Sequence, residues 1–539
     1  MLTKFEKSVF RGEIFRHLDG IVTAPVGYAL HEKGVTDMIL KSGKVELTEL
    51  SKKAGANEGY LNVALRILCS QGWLEQDLDN EQDKIHYQTN DRSEMAFSLF
   101  ALYKDVVDLM KRSAEYHDRR FSPEAFQFME KICGKYRENY GITFSVKPEE
   151  REVQEQVLKH IEGALIGPTI VHLGMGGMFH KYFMEASFRA DEYHEHPDSF
   201  NKLLHFFAFL GWFSEKNNTF QFTDKGLFFA RRAAAYGVTV SYIPMFRRVD
   251  EMIFGDPKKL REISEGEDEI HVDRAMNVWG SGGAHSTYFK KIDEIIIELF
   301  NRPIDEQPKG ILDMGCGNGA FLEHLFEVIE QRTERGKVLD EYPLFLVGAD
   351  YNRKALQITR GNLIKADIWA KVVWGDIGRP DLLATDLREN YGIELASLLN
   401  VRTFLDHNRI WQEPKQRTKG RKSSSTGSFV HRGERISNNR VEDNLLEHFT
   451  KWAPYVGRFG LLVIELHTVD PKHVSANLGR TPATAYDATH GFSDQYIVEP
   501  EVFTKVAAEA GLHPVDEYAS KYPNSELATV TVNLLRNKS

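Results

Sequence analysis

The stretch Gly310-Ile311-Leu312-Asp313-Met314-Gly315-Cys316-Gly317-Asn318-Gly319-Ala320-Phe321-Leu322 constrains this chain more than any other. Ile311 and Leu312 suit a parallel strand buried on both faces. Gly315, Gly317 and Gly319 let the backbone turn tightly and come close to a ligand. Asn318 offers a cap to a helix that Phe321, Leu322 and Leu325 continue. The acid Asp313 precedes the turn. Its carboxylate would repel a pyrophosphate, and it suits a cationic ligand with an amine to hold.

Two further stretches extend the pattern. Leu344-Phe345-Leu346-Val347-Gly348-Ala349-Asp350 is an apolar strand ending in an acid, placed to accept both ribose hydroxyls of a nucleoside. Lys371-Val372-Val373-Trp374-Gly375-Asp376-Ile377 is a third strand, with an acid suited to an adenine amino group. The series Asp-x-Gly-x-Gly-x-Gly, then Asp350, then Gly375-Asp376 resembles the class I S-adenosylmethionine-dependent methyltransferases. The resemblance implies an α/β fold with a Rossmann-like core and a mostly parallel seven-stranded sheet. It also implies S-adenosylmethionine as cofactor, bound by Asp313, Gly315, Gly317, Asp350, Asp376, Ile377 and Asn400.

The rest of the core follows in order. Residues 395–401 read as the fourth strand, whose C-terminal end faces the reaction centre in such sheets. Residues 442–452 read as an amphipathic helix, 458–467 as a fifth strand entered by a glycine turn, and 502–510 as the last helix. Residues 527–535 alternate as an edge strand suited to a closing antiparallel hairpin. The basic, Ser-rich run at 415–428 has no apolar periodicity and reads as a flexible insertion near 413–430. Ahead of the first strand, Met276-Asn277-Val278-Trp279-Gly280-Ser281-Gly282-Gly283-Ala284-His285 suits a loop folded over a ligand. Its position before the cofactor strand makes Asn277, Ser281 and Gly282 further candidate cofactor contacts. A helix at 288–300 leads from it into the core.

The N-terminal half reads as a mainly α-helical lid domain over 1–270, ahead of the core at 271–539. Two helices at 44–54 and 59–70, then Gly72-Trp73-Leu74 and a polar hairpin at 75–88, have the pattern of a winged helix-turn-helix. It recurs with a helix at 200–210, Gly211-Trp212-Phe213, and a hairpin turning at Asn217-Asn218. Leu65, Leu68, Gly72 and Trp73 match Leu204, Phe207, Gly211 and Trp212, so the modules are tandem copies. A DNA reader needs several basic residues on its recognition helix. Here one helix offers only Arg66 and the other Lys202 and His205, and the chain carries a net charge of −10. Nucleic acid is therefore not an expected partner. Gly174-Met175-Gly176-Gly177 follows an apolar run, but no acid-ended strand follows it, so it reads as a helix-packing or loop feature.

Cys69, Cys133 and Cys316 are too few and scattered for a disulfide framework or zinc cluster, which suits a reducing cytosol. The N-terminus lacks a signal-peptide core and no apolar run is long enough to span a membrane, so a cytoplasmic protein is expected. The sequence sets no oligomeric state.

Polar side chains gather at the strand ends. Asp406 and His407 follow the fourth strand, Glu465 and His467 end the fifth, and Tyr486, Asp487, His490, Asp494 and Gln495 lie beyond. Imidazoles and oxygen donors from separate loops suit a divalent first-row metal. Residues 277–285, 402–409 and 465–467, with 486–496, resemble the metal-dependent C-methyltransferases that initiate certain polyketides, such as those of the saxitoxin and apratoxin synthases. The resemblance implies iron or manganese beside S-adenosylmethionine, with His407, Gln495 and, less centrally, His467 as ligands. It also implies α-carbon methylation of a malonyl-type thioester on an acyl carrier protein. A divalent metal chelated by both substrate oxygens would stabilise the developing enolate. His407, His490 and Tyr486 are the candidate catalytic residues, the latter two to pass protons. The chain ends at Ser539, soon after the last strand, so a stand-alone enzyme or an excised domain is expected. Delivery then falls to a carrier protein or a coenzyme A thioester. The alternative is a metal-free O- or N-methyltransferase using His407 or His467 as base.

Overall fold

The computed structural model describes residues 2–117, 120–182, 186–258 and 269–538. It divides into two compact units. The first comprises Met1–His285, Ser428–Arg435 and Asp470–Asp494; the second comprises Ser286–Gly427, Ile436–Val469 and Gln495–Ser539. Two later segments of the chain thus belong to the first unit.

The first unit is built on two long helices and two winged modules. Helix α1 (Lys4–Glu32) opens on Thr3, whose hydroxyl accepts from Glu6 N. The first module follows as β1 (Lys44–Glu46), α2 (Leu47–Ala54), α3 (Glu58–Ser70), β2 (Glu75–Asp79) and β3 (Lys84–Gln88), with the strands in the order β1-β3-β2. After α4 (Pro148–Met175) comes the second module: α5 (Pro197–Phe209), β4 (Phe213–Lys216) and β5 (Thr219–Phe222). Asn217 and Asn218 turn its hairpin at φ 54° and 57°, the left-handed pair a two-residue loop requires. Gly174 and Gly176 lie at the end of α4, as a helix-end feature should. In α3, all of 59–70 is buried, and Arg66 is ion-paired with Asp487 at 2.9 Å. The helix thus offers no exposed cation from its interior to a nucleic acid.

The expected ligand loop at 276–285 is instead helical. After α6 (Ala234–Ser241), helix α7 (Arg274–Phe300) takes in Asn277, Ser281 and Gly282. Gly280 belongs to packing: a Cβ there would lie 2.5 Å from Val238 N, and one on Gly237 would lie 2.6 Å from Gly280 Cα. The glycine lets two helices touch backbone to backbone rather than opening a loop. Asn277 Nδ2 donates to Ser241 Oγ (3.0 Å), and Ser281 Oγ donates to Val278 O (3.2 Å) within its own helix.

The second unit is the doubly wound core. Its elements are β6 (Gly310–Met314), α8 (Ala320–Arg332), β7 (Phe345–Asp350), α9 (Arg353–Lys365), β8 (Ala370–Trp374), β9 (Leu398–Thr403), α10 (Asn438–Val456), β10 (Leu461–Leu466), β11 (His513–Pro514), β12 (Ser520–Tyr522) and β13 (Val530–Arg536). The sheet runs β8-β7-β6-β9-β10-β13-β11, and β12 also pairs β13. From β8 to β10 every pairing is parallel; β13 is antiparallel to β10. The sheet has eight strands rather than seven, because β11 and β12 share one side of β13. For the same reason β13 is an interior strand, not the expected edge.

The expected flexible insertion is packed. Arg421, its guanidinium almost fully buried, reaches Glu442 (2.9 Å), Asp443 (2.6 Å) and Glu509 (2.7 Å). Ser423, Ser425 and Ser428 are buried too. Its charge is compensated by acids from elsewhere in the chain, which a local reading does not see.

Candidate functional site

The chemistry of the second unit begins where β6 ends. Every residue of β6 is buried, Asp313 included. The backbone then reverses through Gly315, Gly317 and Gly319 at φ 82°, 56° and 83°, a region that favours glycine. Gly315 N donates to Ala349 O at 2.7 Å, and Thr359 Oγ1 donates to Gly317 O at 2.8 Å. Asp350, at the end of β7, accepts from Gly317 N (3.0 Å) through one oxygen and from Asn352 N (2.8 Å) through the other. Asn318 Oδ1 accepts from Ala320 N at 3.1 Å, but Gly319 rather than Asn318 holds the cap position of α8, with no side-chain cap. The structure therefore brings Asp313, Gly315, Gly317 and Asp350 to one strand edge.

Two features make this edge a fit for a sulfonium nucleoside. A Cβ built on Gly317 meets nothing nearer than Gly315 O at 4.0 Å, so the turn has an open side. Burial, with Asp350 nearby, pushes the Asp313 carboxyl up to about 7. Neither influence is a cation. A cationic ligand would supply the missing counter-charge.

Asp376 follows β8, and its Oδ1 accepts from Gly378 N at 2.8 Å. Ile377 is buried, and its carbonyl accepts from Trp452 Nε1 at 2.7 Å. Asn400 is fully buried within β9, opposite Leu312, one position before the level of Asp313. Its Nδ2 donates to Leu398 O at 3.3 Å.

A second group of side chains lies at the ends of β9 and β10. Arg402 and Asp406 are fully buried and ion-paired. His448 Nε2 lies 2.8 Å from the same Asp406 oxygen, and the Arg402 guanidinium sits 4.0 Å from the Trp452 ring centre. Burial alone would raise the Asp406 carboxyl, but Arg402 and His448 hold it well below the usual range. Burial depresses His448 to about 4 against the pull of Asp406. Arg409 donates to Asn444 Oδ1 (2.6 Å) and to Asp406 O (2.9 Å). This network fixes the short turn Asp406–Asn408 that carries His407.

His407 Nδ1 is paired with Glu465, whose other oxygen accepts from His407 N at 3.2 Å. Leu466 N also donates to Glu465, at 2.7 Å. Tyr496 N donates to His407 O at 2.8 Å, and Gln495 is the residue before Tyr496 in the chain. His467 does not join them. Its Nδ1 lies 2.9 Å from Val498 O and its Nε2 2.8 Å from Thr531 Oγ1, so both nitrogens are committed within the protein. That removes His467 from the metal ligands and from the candidate bases. Burial also holds it near 4.

Tyr486 and His490 stand on one helix of the first unit, Ala483–Phe492, with rings 6.3 Å apart. His490 Nδ1 lies 2.8 Å from Tyr486 O, and burial pushes the Tyr486 phenol up to about 12. Sequence reasoning missed His448 and the pairing role of Glu465. The available signal was helical spacing: His448 and Trp452 share the apolar face of α10.

Three family models match the chain in order. An AprA N-terminal domain covers 10–76, an AprA winged helix domain 162–256, and an AprA MT2-like methyltransferase domain 269–533. The chain belongs to the AprA-like S-adenosylmethionine-dependent methyltransferases. No curated protein matches it. An O-methyltransferase family protein from Burkholderia thailandensis is similar at 11% identity and TM-score 0.38, over 69% of this chain and 94% of that one. LepI in complex with SAM is similar at 11% and 0.39, over 81% and 99%. An O-methyltransferase family 2 protein from Planctomyces limnophilus, in complex with apigenin, is similar at 11% and 0.36, over 99% and 95%. Among the described residues no helix of this AprA-like chain is long and apolar enough to cross a membrane.

Proposed function

We propose that this methyltransferase acts on the α-carbon of a malonyl-type thioester, carried by an acyl carrier protein or coenzyme A, in starter-unit biosynthesis in the cytoplasm. One observation carries the reading: His407 is oriented through Nδ1 by buried Glu465, and its carbonyl accepts from the N–H of Tyr496, the residue after Gln495. A carboxylate on the far nitrogen is how proteins fix a metal-holding imidazole. His407 and the Gln495 amide oxygen would hold the metal, and this donor chemistry suits iron or manganese. A divalent cation there supplies Lewis-acid polarisation of the substrate's carboxylate and thioester oxygens.

The protein's own contribution is position and charge. Asp350 offers carboxylate oxygens to ribose hydroxyls, and Asp313 offers a buried anion to the cationic end of the cofactor. S-Adenosylmethionine supplies an already electrophilic methyl group, so the protein chiefly aligns it with the acceptor carbon and excludes water. Arg402, Asp406 and His448 keep His407 from drifting. His490 and Tyr486 are the proposed proton carriers.

A second reading rests on the same pair. A histidine backed by a buried carboxylate is also a general base, which would serve a metal-free O- or N-methyltransferase. Labelled S-adenosylmethionine, malonyl carrier protein or malonyl coenzyme A, and added Fe(II) or Mn(II) decide between them. The first reading expects methylation at carbon that a chelator abolishes. Transfer to a phenol or amine acceptor, indifferent to chelator, would replace it with the second.

A further inference from the structure

The two long helices of the first unit carry the same signature. His17-Leu18-Asp19-Gly20 in α1 corresponds to His160-Ile161-Glu162-Gly163 in α4. Each is followed, at the same remove, by a proline inside the helix, Pro25 and Pro168. Their contacts are reciprocal. A Cβ on Gly20 would lie 2.3 Å from His160 Cα, and one on Gly163 would lie 2.4 Å from His17 Cα. His17 Nδ1 lies 2.7 Å from Tyr236 OH, and His160 Nδ1 lies 2.8 Å from Tyr103 OH. Those ring pairs stack alike, at 6.0 Å and 30° and at 6.2 Å and 27°. Each tyrosine follows a winged hairpin. The two wings start alike as well: Gly72 and Gly211 turn at φ 78° and 80°, and Trp73 N and Trp212 N donate to Leu68 O and Phe207 O at 2.9 Å each.

We infer that the first unit is a fused dimer: two copies of one helix–winged-helix repeat, each filling the other's self-pairing surface at the Gly20–Gly163 crossing. The correspondence extends past the winged modules to the helices, the tyrosines and the contacts between copies. Matching contacts across a crossing are what a two-fold axis produces, since each surface must meet its own counterpart. The partner this surface fits is a second copy of the repeat, supplied by the same chain.

The copies differ at one socket. Glu162 Oε1 reaches His17 Nε2 at 3.0 Å. Its counterpart Asp19 is one methylene shorter, and its buried Oδ1 has no hydrogen-bond partner. A small polar pocket, about 10 Å³ and so roughly the room of one water, lies there instead, lined by Arg16, Asp19, Gln71, Gln156, Lys159 and His160, with Leu478. Burial holds the His160 imidazole down, to about 3.

The test uses the full chain. Asp19→Glu supplies the missing methylene and is expected to raise the thermal midpoint. It should also move the His160 titration upward, as read by NMR of histidine-labelled protein. Glu162→Asp empties the twin socket and should lower the midpoint. The exchange D19E/E162D moves the asymmetry to the other copy, so it should fold and recover most of that loss. If D19E lowers the midpoint, His160 does not move, and the exchange sums the two losses, the copies are not equivalent and the inference fails. Should E162D alone not fold, the exchange still decides: recovery supports equivalence and failure overturns it.

Discussion

Asp313, paired opposite Val401 near the end of β6, and Asp406, just past the end of the neighbouring β9, are both buried acids, yet their charges are met differently. Asp406 has Arg402 and His448 against it and is held well below the usual carboxylate range. Asp313 has burial and another acid, and is pushed up to about 7. The histidines repeat the contrast. His467 spends both nitrogens on Val498 and Thr531, whereas His407 is oriented by a carboxylate at the strand end. A buried polar group satisfied by the protein is scaffold; one whose counter-charge is missing marks where a ligand belongs.

The sharpest way to break this contrast is to remove the internal charge pair. Asp406→Asn leaves Arg402 buried without its anion and should cost about 3–5 kcal/mol of stability, read by denaturant unfolding. Asp313→Asn should leave stability unchanged or improved, since it removes an uncompensated buried acid. Its loss should appear in S-adenosylmethionine affinity, weakened by about 1.5–3 kcal/mol, or roughly 10- to 150-fold in Kd by calorimetry. If both variants lose stability alike and neither loses affinity, the two acids do the same job.

The histidine pair gives the next test. His467→Ala should cost about 1–3 kcal/mol of stability, by leaving Thr531 and Val498 without their partner, and should leave metal content unchanged. His407→Ala should abolish metal uptake, measured by elemental analysis, while S-adenosylmethionine affinity stays within about twofold. Metal loss in the His467 variant instead would reverse their assigned roles.

The core was legible because its signals are local. The Asp313 to Gly319 turn and the acid-ended strands each sit within a few residues, and all fold as read. What failed depended on partners distant in sequence. Residues 276–285 read as a loop because glycines break helices, but Gly280 is there to meet Gly237. The run at 415–428 read as solvated because nothing nearby neutralises it, whereas Arg421 finds Glu442, Asp443 and Glu509. His467 looked like a ligand for the same reason: Val498 and Thr531 are invisible from β10. The pairing of His407 with Gln495 was read by resemblance; the structure adds a bond from Tyr496 N, one residue past Gln495, to His407 O.

The smallest expected effect is also the most specific. A carboxyl raised from its ordinary range to about 7 keeps its proton longer when folded, so its contribution to stability declines as pH rises from about 4 to 7. A cationic ligand selects the ionised form and reverses the trend for binding. The decisive measurement is the Kd of S-adenosylmethionine between about pH 5.5 and 7.5, for the natural protein and Asp313→Asn. Affinity should rise up to roughly tenfold per pH unit, level off near 7, and lose that dependence in the variant. An affinity independent of pH in the natural protein, or a variant that keeps the same profile, would contradict the claim that Asp313 is the anion waiting for the cofactor's charge.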